Sequence, residues 1–452
     1  MQRLKNSINY TNNSYNKLNV LVVYSHVGFP LRNTIKEHLY SFKTYFENSN
    51  CYYFKADSPF RKNKLDLIPK YLKKIDFDLI VFHYGFLASR FESLDKLDNF
   101  GNRISFLAKS RAIKIAMPQD EYRCSQQLVQ FINKFKVDII STVSPESEWR
   151  KIYEGVNFKK IVFHKTLTGF LDEFSVERIQ KLGRNISRTK DIGYRARKIP
   201  PWLGRHGFLK TKIGEVFLNH KNTDQLSYDV SIDSNDVFIG DDWYKFLLEC
   251  KYTLGVEGGA SVLDKDGMIW EQGEKLVTQN PKLSFEEIEN KCFKGEDGRL
   301  SLYAISPRHL ECCATKTCQI LIEGYYDGVL KPNVHYIELK RDFSNLEEVI
   351  SLVKNDELRN QITEKAYQDI VASNLYTYRK FIFDLQNLVL SMNEKNVKPS
   401  QPFLLLLNRT SEFIGWKYQW YRKKIWPSLW SIYVFIIKTL KLMSLRSTLK
   451  RS

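Results

Sequence analysis

The stretch SPRHLECCATKTCQILIEGYYDGVLKPNVHYIELKRDFSN, residues 306–345, decides the predicted fold. It opens with Ser306-Pro307, which indicates a helix start, because Ser is a favoured N-cap and Pro fits the first helical position. The apolar run Cys318–Ile322 then predicts a short buried strand that ends at Glu323-Gly324. The stretch is therefore interpreted as a helix followed by a buried strand.

The predicted helix start is also a candidate nucleotide site. A helix N-terminus presents free N–H groups and the positive end of the helix dipole, and both suit a phosphate. Glu311 follows little more than one turn into the helix, where a carboxylate suits sugar hydroxyls. Together the two features are suited to a nucleoside diphosphate. An ordinary capped helix explains the same residues, because a Ser-Pro start followed by a Glu is common.

The segment resembles the C-terminal half of group 1 (family four-like) GT-B glycosyltransferases, in particular their spore-maturation branch. The matching motifs are S-P-R-x-x-E and E-G-Y-x-x-G-x-L-K-P-x-x-H-Y-I. The resemblance implies that Ser306 and Pro307 bind the donor diphosphate and that Glu311 binds the ribose. Arg308 or Arg195 is expected to stabilise the charge of the leaving group together with the helix start. The usual motif has a second Glu eight residues earlier, where this chain has Tyr303. That difference leaves the donor sugar and its usual contact open.

Composition bounds the class of protein. The chain has 452 residues, 43% hydrophobic and 14% aromatic, which suits two medium domains and excludes a disordered chain. Its net charge of +18 permits nucleic acid, an anionic membrane surface or phosphorylated substrates as partners. Nucleic acid ranks last, because no recognised nucleic-acid motif is present. The seven cysteines form no CxxC pair, which favours reduced core thiols in a cytosolic protein.

The first part of the chain predicts a Rossmann-like domain. Residues 1–17 are expected to be a flexible lead-in without a secretory signal, and residues 18–183 the N-terminal, acceptor-binding domain. Leu18–Tyr24 has the continuous apolar pattern of a parallel strand buried on both faces. Further strands and helices alternate after it, as in a doubly wound sheet. The predicted strands are 78–84, 114–117, 137–142 and 160–163, and the predicted helices include 31–46 and Ser125–Phe135.

Polar residues follow several of these strands, and ligands bind outside the carboxyl ends of strands in open parallel sheets. Asp120 is the candidate for a catalytic group near the reacting sugar, with His26 and His83 as further candidates. Each of these residues alone is more commonly a loop or capping residue. PQDEY, SPESEW and LTGFLDE, beginning at residues 118, 144 and 167, again resemble the N-terminal half of the same transferases.

Residues 184–375 predict a second Rossmann-like domain, which the resemblance assigns to the donor. The candidate donor-binding residues outside residues 306–311 are Gly193, Arg195, Glu257 and Glu323. Arg195 offers a fork of donors for a phosphate, although a solvated surface arginine is the alternative. The glycines near residue 258 allow close approach of a ligand, but a tight turn explains them equally well. Residues 376–394 are expected to form a long helix, and the resemblance implies that it crosses back to the first domain.

No metal site is predicted. Asp264-Lys265-Asp266 is the nearest match to a DxD motif, and it lies in a predicted loop. GT-B enzymes generally need no metal, so no cofactor is expected.

The C-terminal tail, residues 395–452, has a different character. It carries twelve Lys or Arg residues and one Glu, which is +11 of the total +18, and four of the eight tryptophans. An apolar run at 429–437 is too short to span a membrane. The pattern predicts an interfacial segment that binds the anionic inner membrane face through residues 400–452. A basic helix pair packed on the body is the alternative. The body is expected to fold without the tail.

The sequence therefore predicts an α/β protein of the GT-B type: two Rossmann-like domains facing a cleft, plus a basic amphipathic helical tail. The implied reaction moves a sugar from a nucleoside-diphosphate sugar, UDP by default, to a hydroxyl of a surface glycan or lipid-linked acceptor. Retention of anomeric configuration is implied by the resemblance alone. The alternative is a non-catalytic sugar- or nucleotide-binding partner on the same fold. The expected location is cytoplasmic, at the inner face of the cell membrane.

Overall fold

The computed structural model describes residues 17–25, 31–57, 69–93, 95–220, 225–392 and 401–425. These residues form two parallel sheets with helices on their faces, and a C-terminal helix. The predicted lead-in, His26 and the part of the tail beyond residue 425 lie outside the described residues.

The first domain contains a six-stranded parallel sheet in the order β2-β1-β3-β4-β5-β6. All seven residues of the predicted first strand are buried, as the uninterrupted apolar pattern requires. The chain leaves β1 for β2 on one side and returns to β3 on the other, so the order reverses at β1. The strands are β1 Leu18–Tyr24, β2 Ser49–Lys55, β3 Leu79–Phe82, β4 Ile113–Ala116, β5 Ile139–Thr142 and β6 Val162–Lys165.

Helices cover both faces of this sheet. They are α1 Asn33–Tyr45, α2 Tyr84–Leu87, α3 Lys96–Arg103, α4 Ser125–Phe135, α5 Trp149–Ile152 and α6 Glu173–Gly183. Phe131 and Phe135 of α4 contribute to the core on one face. On the other face, Phe42 of α1 shares a core with Phe381 and Leu385. The last two belong to α14, Tyr378–Met392, which therefore packs on this face of the first sheet.

The second domain contains a five-stranded parallel sheet in the order β13-β12-β9-β7-β8 and a two-stranded antiparallel ribbon, β10-β11. The strands are β7 Lys190–Arg195, β8 Tyr228–Ser231, β9 Cys250–Gly255, β10 Gly258–Ala260, β11 Leu302–Ala304, β12 Cys318–Ile322 and β13 Ile337–Leu339. The helices are α7 Gly204–His220, α8 Asp241–Glu249, α9 Met268–Gln279, α10 Phe285–Cys292, α11 Pro307–Ala314, α12 Leu346–Val353 and α13 Asp356–Ala366. Both α11 and β12 begin where residues 306–345 predict them. The predicted fold class, α/β with two Rossmann-like domains, is confirmed.

The segment between β10 and β11 joins the second domain to the first, which the sequence did not predict. The Cys124 N–H donates to the Asp264 carbonyl at 2.7 Å, and the Asp264 N–H donates to the Tyr122 carbonyl at 2.7 Å. Leu300 and Leu302, which end the segment, are buried in the core of the first domain. The two domains therefore share backbone pairing and apolar core.

Part of the predicted tail is also built into the first domain. Helix α15, Pro402–Trp420, lies along the edge strand β2. The buried amide of Asn408 accepts the Tyr53 N–H at 2.9 Å and donates to the Tyr53 carbonyl at 2.9 Å. An edge strand leaves such groups unpaired, and Asn408 satisfies them. No helix within the described ranges is long and apolar enough to cross a membrane.

Candidate functional site

A cavity of about 310 Å³ lies in the cleft between the two domains. Residues 32–34 at the start of α1 form one wall, and the ends of β7 and β9 with the start of α11 form the opposite wall. Within the described residues, neither α1 nor α11 has a side-chain N-cap or an acidic residue in its first turn. Two helix N-termini thus direct N–H groups and positive dipole ends at one cavity.

The start of α11 has the predicted geometry. Ser306 is the N-cap residue, with an extended backbone at φ −98° and ψ 156°, and Pro307 occupies the first helical position. Ser306, Pro307 and Arg308 all line the cavity. The first N–H groups of a helix have no partner in its own hydrogen-bond ladder, so this helix start is available to an anion.

Five arginine and lysine residues line the same cavity. The guanidinium of Arg195 is paired with a neighbouring carboxylate, and the other four are Arg32, Arg197, Lys210 and Arg308. Burial lowers the pKa of Arg32, and the nearby charges of Arg197 and Arg308 lower it further. Burial also lowers the pKa of Lys210 to about 8, with Arg308 adding to the effect. Like charges at this spacing repel one another, so the cavity favours a multiply charged anion.

Glu311 is the one carboxylate among the residues that line the cavity in the described part of the chain. Its Oε2 accepts a hydrogen bond from Nε1 of Trp243 on α8 at 2.8 Å. Burial raises the pKa of Glu311, while Arg308 and Arg32 oppose that rise. Because a carboxylate offers about four acceptor positions, Glu311 keeps capacity for the hydroxyl groups of a ligand.

Asp120 lies after β4 on the first-domain side of the cleft and is exposed. Its backbone adopts the left-handed conformation, with φ +52°. The buried guanidinium of Arg90 fixes this loop by donating to the carbonyls of Gln119 at 2.8 Å and Asp120 at 3.1 Å. The Asp120 charge raises the pKa of Lys210, so the two side chains interact electrostatically across the cleft. Strained loops of this kind cluster at functional sites.

The predicted role of His83 needs correction. The side chain is 1% exposed, and both ring nitrogens have partners. Nδ1 accepts the Gly85 N–H at 3.0 Å, which caps α2, and Nε2 lies 3.0 Å from Nδ1 of His38. Because Nδ1 accepts, the proton is on Nε2, which donates to His38. Burial lowers the pKa of His83 well below its usual value, so this neutral histidine has a structural position. The His26 candidate lies outside the described residues.

Three other predicted donor-binding residues do not line the cavity. A Cβ on Gly193 would lie 2.2 Å from Sγ of Cys250 on the neighbouring strand β9, so this glycine is required by packing. The Glu257 carboxylate is buried and accepts the Tyr326 N–H at 2.6 Å. Glu323 accepts the N–H of Arg341 at 3.2 Å. These contacts organise the backbone behind the cavity.

Arg195 meets the site through its backbone. Its guanidinium donates to the Asp229 carbonyl at 2.6 Å, pairs with the Asp229 carboxylate and lies 4.5 Å from the ring centroid of Phe246. The fork predicted to bind phosphate is therefore occupied by Asp229. The Arg195 carbonyl in turn accepts from Nη2 of Arg308 at 2.6 Å. Arg195 thus holds Arg308 at the cavity.

Sequence reasoning missed Arg32, Lys210 and Trp243. Lys210 lies in the helix α7 with an exposed lysine, Lys212, two residues later, and no local pattern distinguishes the two. Arg32 reaches the cavity only because the order of the first sheet places the start of α1 at the cleft. A strand-loop-helix opening was the available signal for Arg32.

The position of the usual second Glu is occupied by an aromatic stack. Tyr303 lies against His206, with ring centroids 3.7 Å apart and planes inclined by 21°. Tyr303 is on β11 and pairs with Gly259 on β10. A Cβ on Gly259, whose φ is +111°, would lie 1.8 Å from the Leu302 carbonyl oxygen. The backbone pairing of this ribbon explains the glycine without a ligand.

The described residues contain no group of three or more His, Cys, Asp or Glu side chains placed to hold a metal ion. The carboxylate of Asp264, in the DxD-like loop, accepts N–H groups of Gly267, Ile269 and Trp270 at 2.9–3.2 Å. These bonds cap the start of α9.

No protein-family model matches the chain, and no curated protein matches it. Solved structures with a similar trace include HepE from Anabaena in complex with UDP, 11% identical over 83% of this chain and 100% of that one, with a TM-score of 0.44. Another is a glycosyltransferase from Rickettsia africae, 12% identical over 84% and 100%, with a TM-score of 0.44. A third is a sucrose-phosphate synthase from Thermosynechococcus elongatus, 10% identical over 83% and 99%, with a TM-score of 0.43. Such identities transfer no substrate and no residue role.

Proposed function

We propose that the protein is a glycosyltransferase that uses a nucleoside-diphosphate sugar, with UDP as the default nucleotide. The observation that carries this proposal is the charge of the cleft cavity. Two uncapped helix starts and four cationic side chains converge on a space of about 310 Å³ with one carboxylate among its described lining residues. A diphosphate matches the cations, and ribose hydroxyls match the carboxylate.

The proposed donor pose assigns a role to each wall of the cavity. The start of α11, Arg308 and Lys210 bind the diphosphate, and Arg32 reaches it from the first domain. Glu311, held by Trp243, accepts hydrogen bonds from the ribose. Phe238, a partly exposed lining residue beside Arg195, offers an aromatic face to the base.

The proposed chemistry follows from where charge develops. When the bond between the anomeric carbon and the diphosphate breaks, negative charge grows on the leaving phosphate. Arg308 and Lys210 are already in place to stabilise it, and such preorganised electrostatic stabilisation usually lowers the barrier more than any other effect. The acceptor hydroxyl attacks the anomeric carbon on the face from which the diphosphate leaves, and its proton passes to the departing phosphate oxygen, with Asp120 as the first-domain carboxylate near the reacting sugar. We propose metal independence and, from the sequence resemblance, retention of configuration.

The acceptor and the setting are part of the same proposal. The acceptor is a hydroxyl of a surface glycan or of a lipid-linked glycan, and the enzyme works on the cytoplasmic side, at the inner membrane face. Nucleic acid is not a proposed partner. From the resemblance of the motifs, we propose the spore-maturation branch of the group 1 transferases.

One observation favours a second candidate, a non-catalytic nucleotide- or sugar-binding partner. Tyr303, stacked on His206, occupies the position where the resembling transferases have a Glu that contacts the donor sugar. A protein that binds the nucleotide but lacks a productive sugar contact would show nucleotide binding without turnover.

The test combines nucleotide binding with turnover. We expect UDP to raise the thermal midpoint of the full chain, because a ligand that binds the folded state stabilises it. Release of UDP from a panel of UDP-sugars should then be measured with and without EDTA. Turnover that persists in EDTA supports the proposal, and turnover that EDTA abolishes and Mn²⁺ restores contradicts metal independence. UDP binding without turnover of any sugar favours the binding partner.

A matched pair of variants ties the result to the cavity. Arg308→Ala should slow turnover at least tenfold, whereas Arg184→Ala, at an exposed arginine after α6, should not. Equal effects of the two substitutions would remove the assigned role of Arg308.

A further inference from the structure

Helix α15 has two unlike sides. Its inner side lies on β2 and the core beneath, through Leu404, Leu405 and the buried Asn408. Its outer side is apolar yet exposed. The large exposed residues there and just beyond the helix end are Phe403, Leu406, Leu407, Phe413, Ile414, Trp420 and Tyr421, here called the outward face. They recur at helical spacings of three, four and seven, so they form one stripe.

The charged residues of 401–425 are also divided between the inner and outer sides of the helix. The one acidic residue of 401–425, Glu412, is turned to the body, where its carboxylate accepts from the Tyr40 hydroxyl at 2.7 Å. Nε1 of Trp416 donates to that hydroxyl at 2.8 Å. Arg409, Lys417 and Lys424 are exposed. The outer side therefore combines apolar and basic residues without an acid.

We propose that the outward face of α15 is a membrane-binding surface that docks the first domain onto an anionic lipid bilayer. Aromatic and aliphatic side chains enter the interface, and basic side chains contact lipid phosphates, as in interfacial amphipathic helices. The proposal does not depend on sugar transfer, because it concerns only the exposed side of a docked helix. It also fixes an orientation, since Asn408 ties this helix to the edge strand β2 and Glu412 ties it to α1.

The charge favours lipid over a second copy of the chain. A twofold dimer through this face would bring together Arg409, Lys417 and Lys424 of both copies. The outer side of the helix offers no acidic side chain to pair with them. An anionic bilayer offers phosphates to all of them. The chain beyond residue 425 adds five basic residues and no acidic one, so it supplies the same attraction and no counter-charge for the outward face.

The test is co-sedimentation of the full chain with vesicles of phosphatidylcholine alone or with about one-third phosphatidylglycerol. We expect binding to the anionic vesicles, weakened by salt. Phe403→Ser with Phe413→Ser should lower the partition coefficient at least tenfold. These residues are 68% and 62% exposed, and Phe174 and Phe383, which lie elsewhere, are 66% and 55% exposed. Phe174→Ser with Phe383→Ser is therefore the matched control and should leave binding unchanged.

A second pair of variants tests the charge. Neutralising Arg409, Lys417 and Lys424 to Gln should weaken binding by about fivefold per residue. The control neutralises three exposed lysines elsewhere, Lys159, Lys160 and Lys282. Thermal melting of each variant checks that the fold is intact.

Two outcomes overturn the proposal. One is anionic-vesicle binding that the outward-face and control variants lower equally, which would assign the attraction to net charge. The other is a change in oligomeric state, measured by light scattering, in the Phe403/Phe413 variant without a change in vesicle binding. That result would assign the face to a second copy of the chain.

Discussion

Glu311 tests the donor assignment at the scale of one residue. Replacing it with Ala removes the acceptor proposed for the ribose and frees Nε1 of Trp243, which it now binds at 2.8 Å. We expect Glu311→Ala to weaken UDP binding by about 1.5–3 kcal/mol, the range for hydrogen bonds to a charged group, as measured by calorimetry. Glu348→Ala, at an exposed site on α12, is the control. Unchanged affinity in a folded Glu311→Ala protein would rule out the ribose role.

Lys210 gives the cavity a pH dependence. Its pKa is lowered to about 8 by burial and by Arg308, so it carries a proton at pH 7 and loses it toward pH 9. We expect UDP affinity to fall over that range. Lys210→Gln should bind UDP more weakly at pH 7 and lose this slope, whereas Lys212→Gln, on the exposed side of the same helix, should keep both. A slope that survives in Lys210→Gln contradicts the assignment.

The same shift predicts a sign for stability. Between pH 8 and about 10.5, Lys210 is protonated in the unfolded chain and neutral in the folded one. The unfolded state then holds the extra proton, so this residue makes the free energy of unfolding rise with pH in that window. Below pH 8 both states hold the proton, and the slope from Lys210 vanishes.

Single residues also show where sequence reasoning stops. Ser306, Pro307, Arg308 and Glu311 were predictable, because capping chemistry and helical spacing are local. The role of Gly193 was not predictable, because the sequence does not distinguish a glycine required by a neighbouring side chain, here Sγ of Cys250, from a glycine required by a ligand. Whether a polar side chain after a strand faces a ligand or a neighbour, as His83 faces His38, depends on packing that no local pattern encodes.

At the scale of elements, the strands and helices were largely predictable, and the docking of α15 was not. β1 and β12 have the predicted bounds, because buried parallel strands leave continuous apolar runs. The amphipathic pattern of 401–420 fits a membrane and a protein surface equally. Asn408 reaches Tyr53, 355 residues away in sequence, and only the folded chain brings the two together. A chain cut after residue 395 would lose this helix and expose β2, so the expectation of an independent body is revised.

Asn408→Ala measures what that helix contributes. It leaves the Tyr53 N–H and carbonyl without the two bonds they now make. We expect a loss of about 2–3 kcal/mol in the free energy of unfolding, since each unsatisfied buried group costs about 1–3 kcal/mol. Urea unfolding should show a lower midpoint with an unchanged slope. Thr410→Ala, exposed on the same helix, should change the midpoint little. Equal midpoints for both variants would mean that water replaces the amide.

At the scale of the whole molecule, the two domains are not independent bodies. The segment between β10 and β11 pairs its backbone with residues 122–126 of the first domain, and α14 crosses back on the other side of the sheet. The sequence indicated a long last helix, and only the resemblance implied that it crosses back to the first domain. It did not indicate the pairing of the segment between β10 and β11 with the first domain, since nothing in the sequence of that segment specifies which part of the chain it contacts.

Leu300→Ala tests this shared core. Leu300 belongs to the second domain by sequence but is fully buried in the core of the first. Truncating a buried leucine costs about 2–5 kcal/mol, so a substitution in one domain should destabilise the other. Calorimetry should show one transition in the native chain, and Leu300→Ala should lower its midpoint without splitting it. Leu375→Ala, at a 56% exposed position, is the control. The contrary result is two separate transitions, of which Leu300→Ala shifts only the transition of the second domain. It would show that the domains unfold independently, because the substituted leucine would then affect its own domain alone.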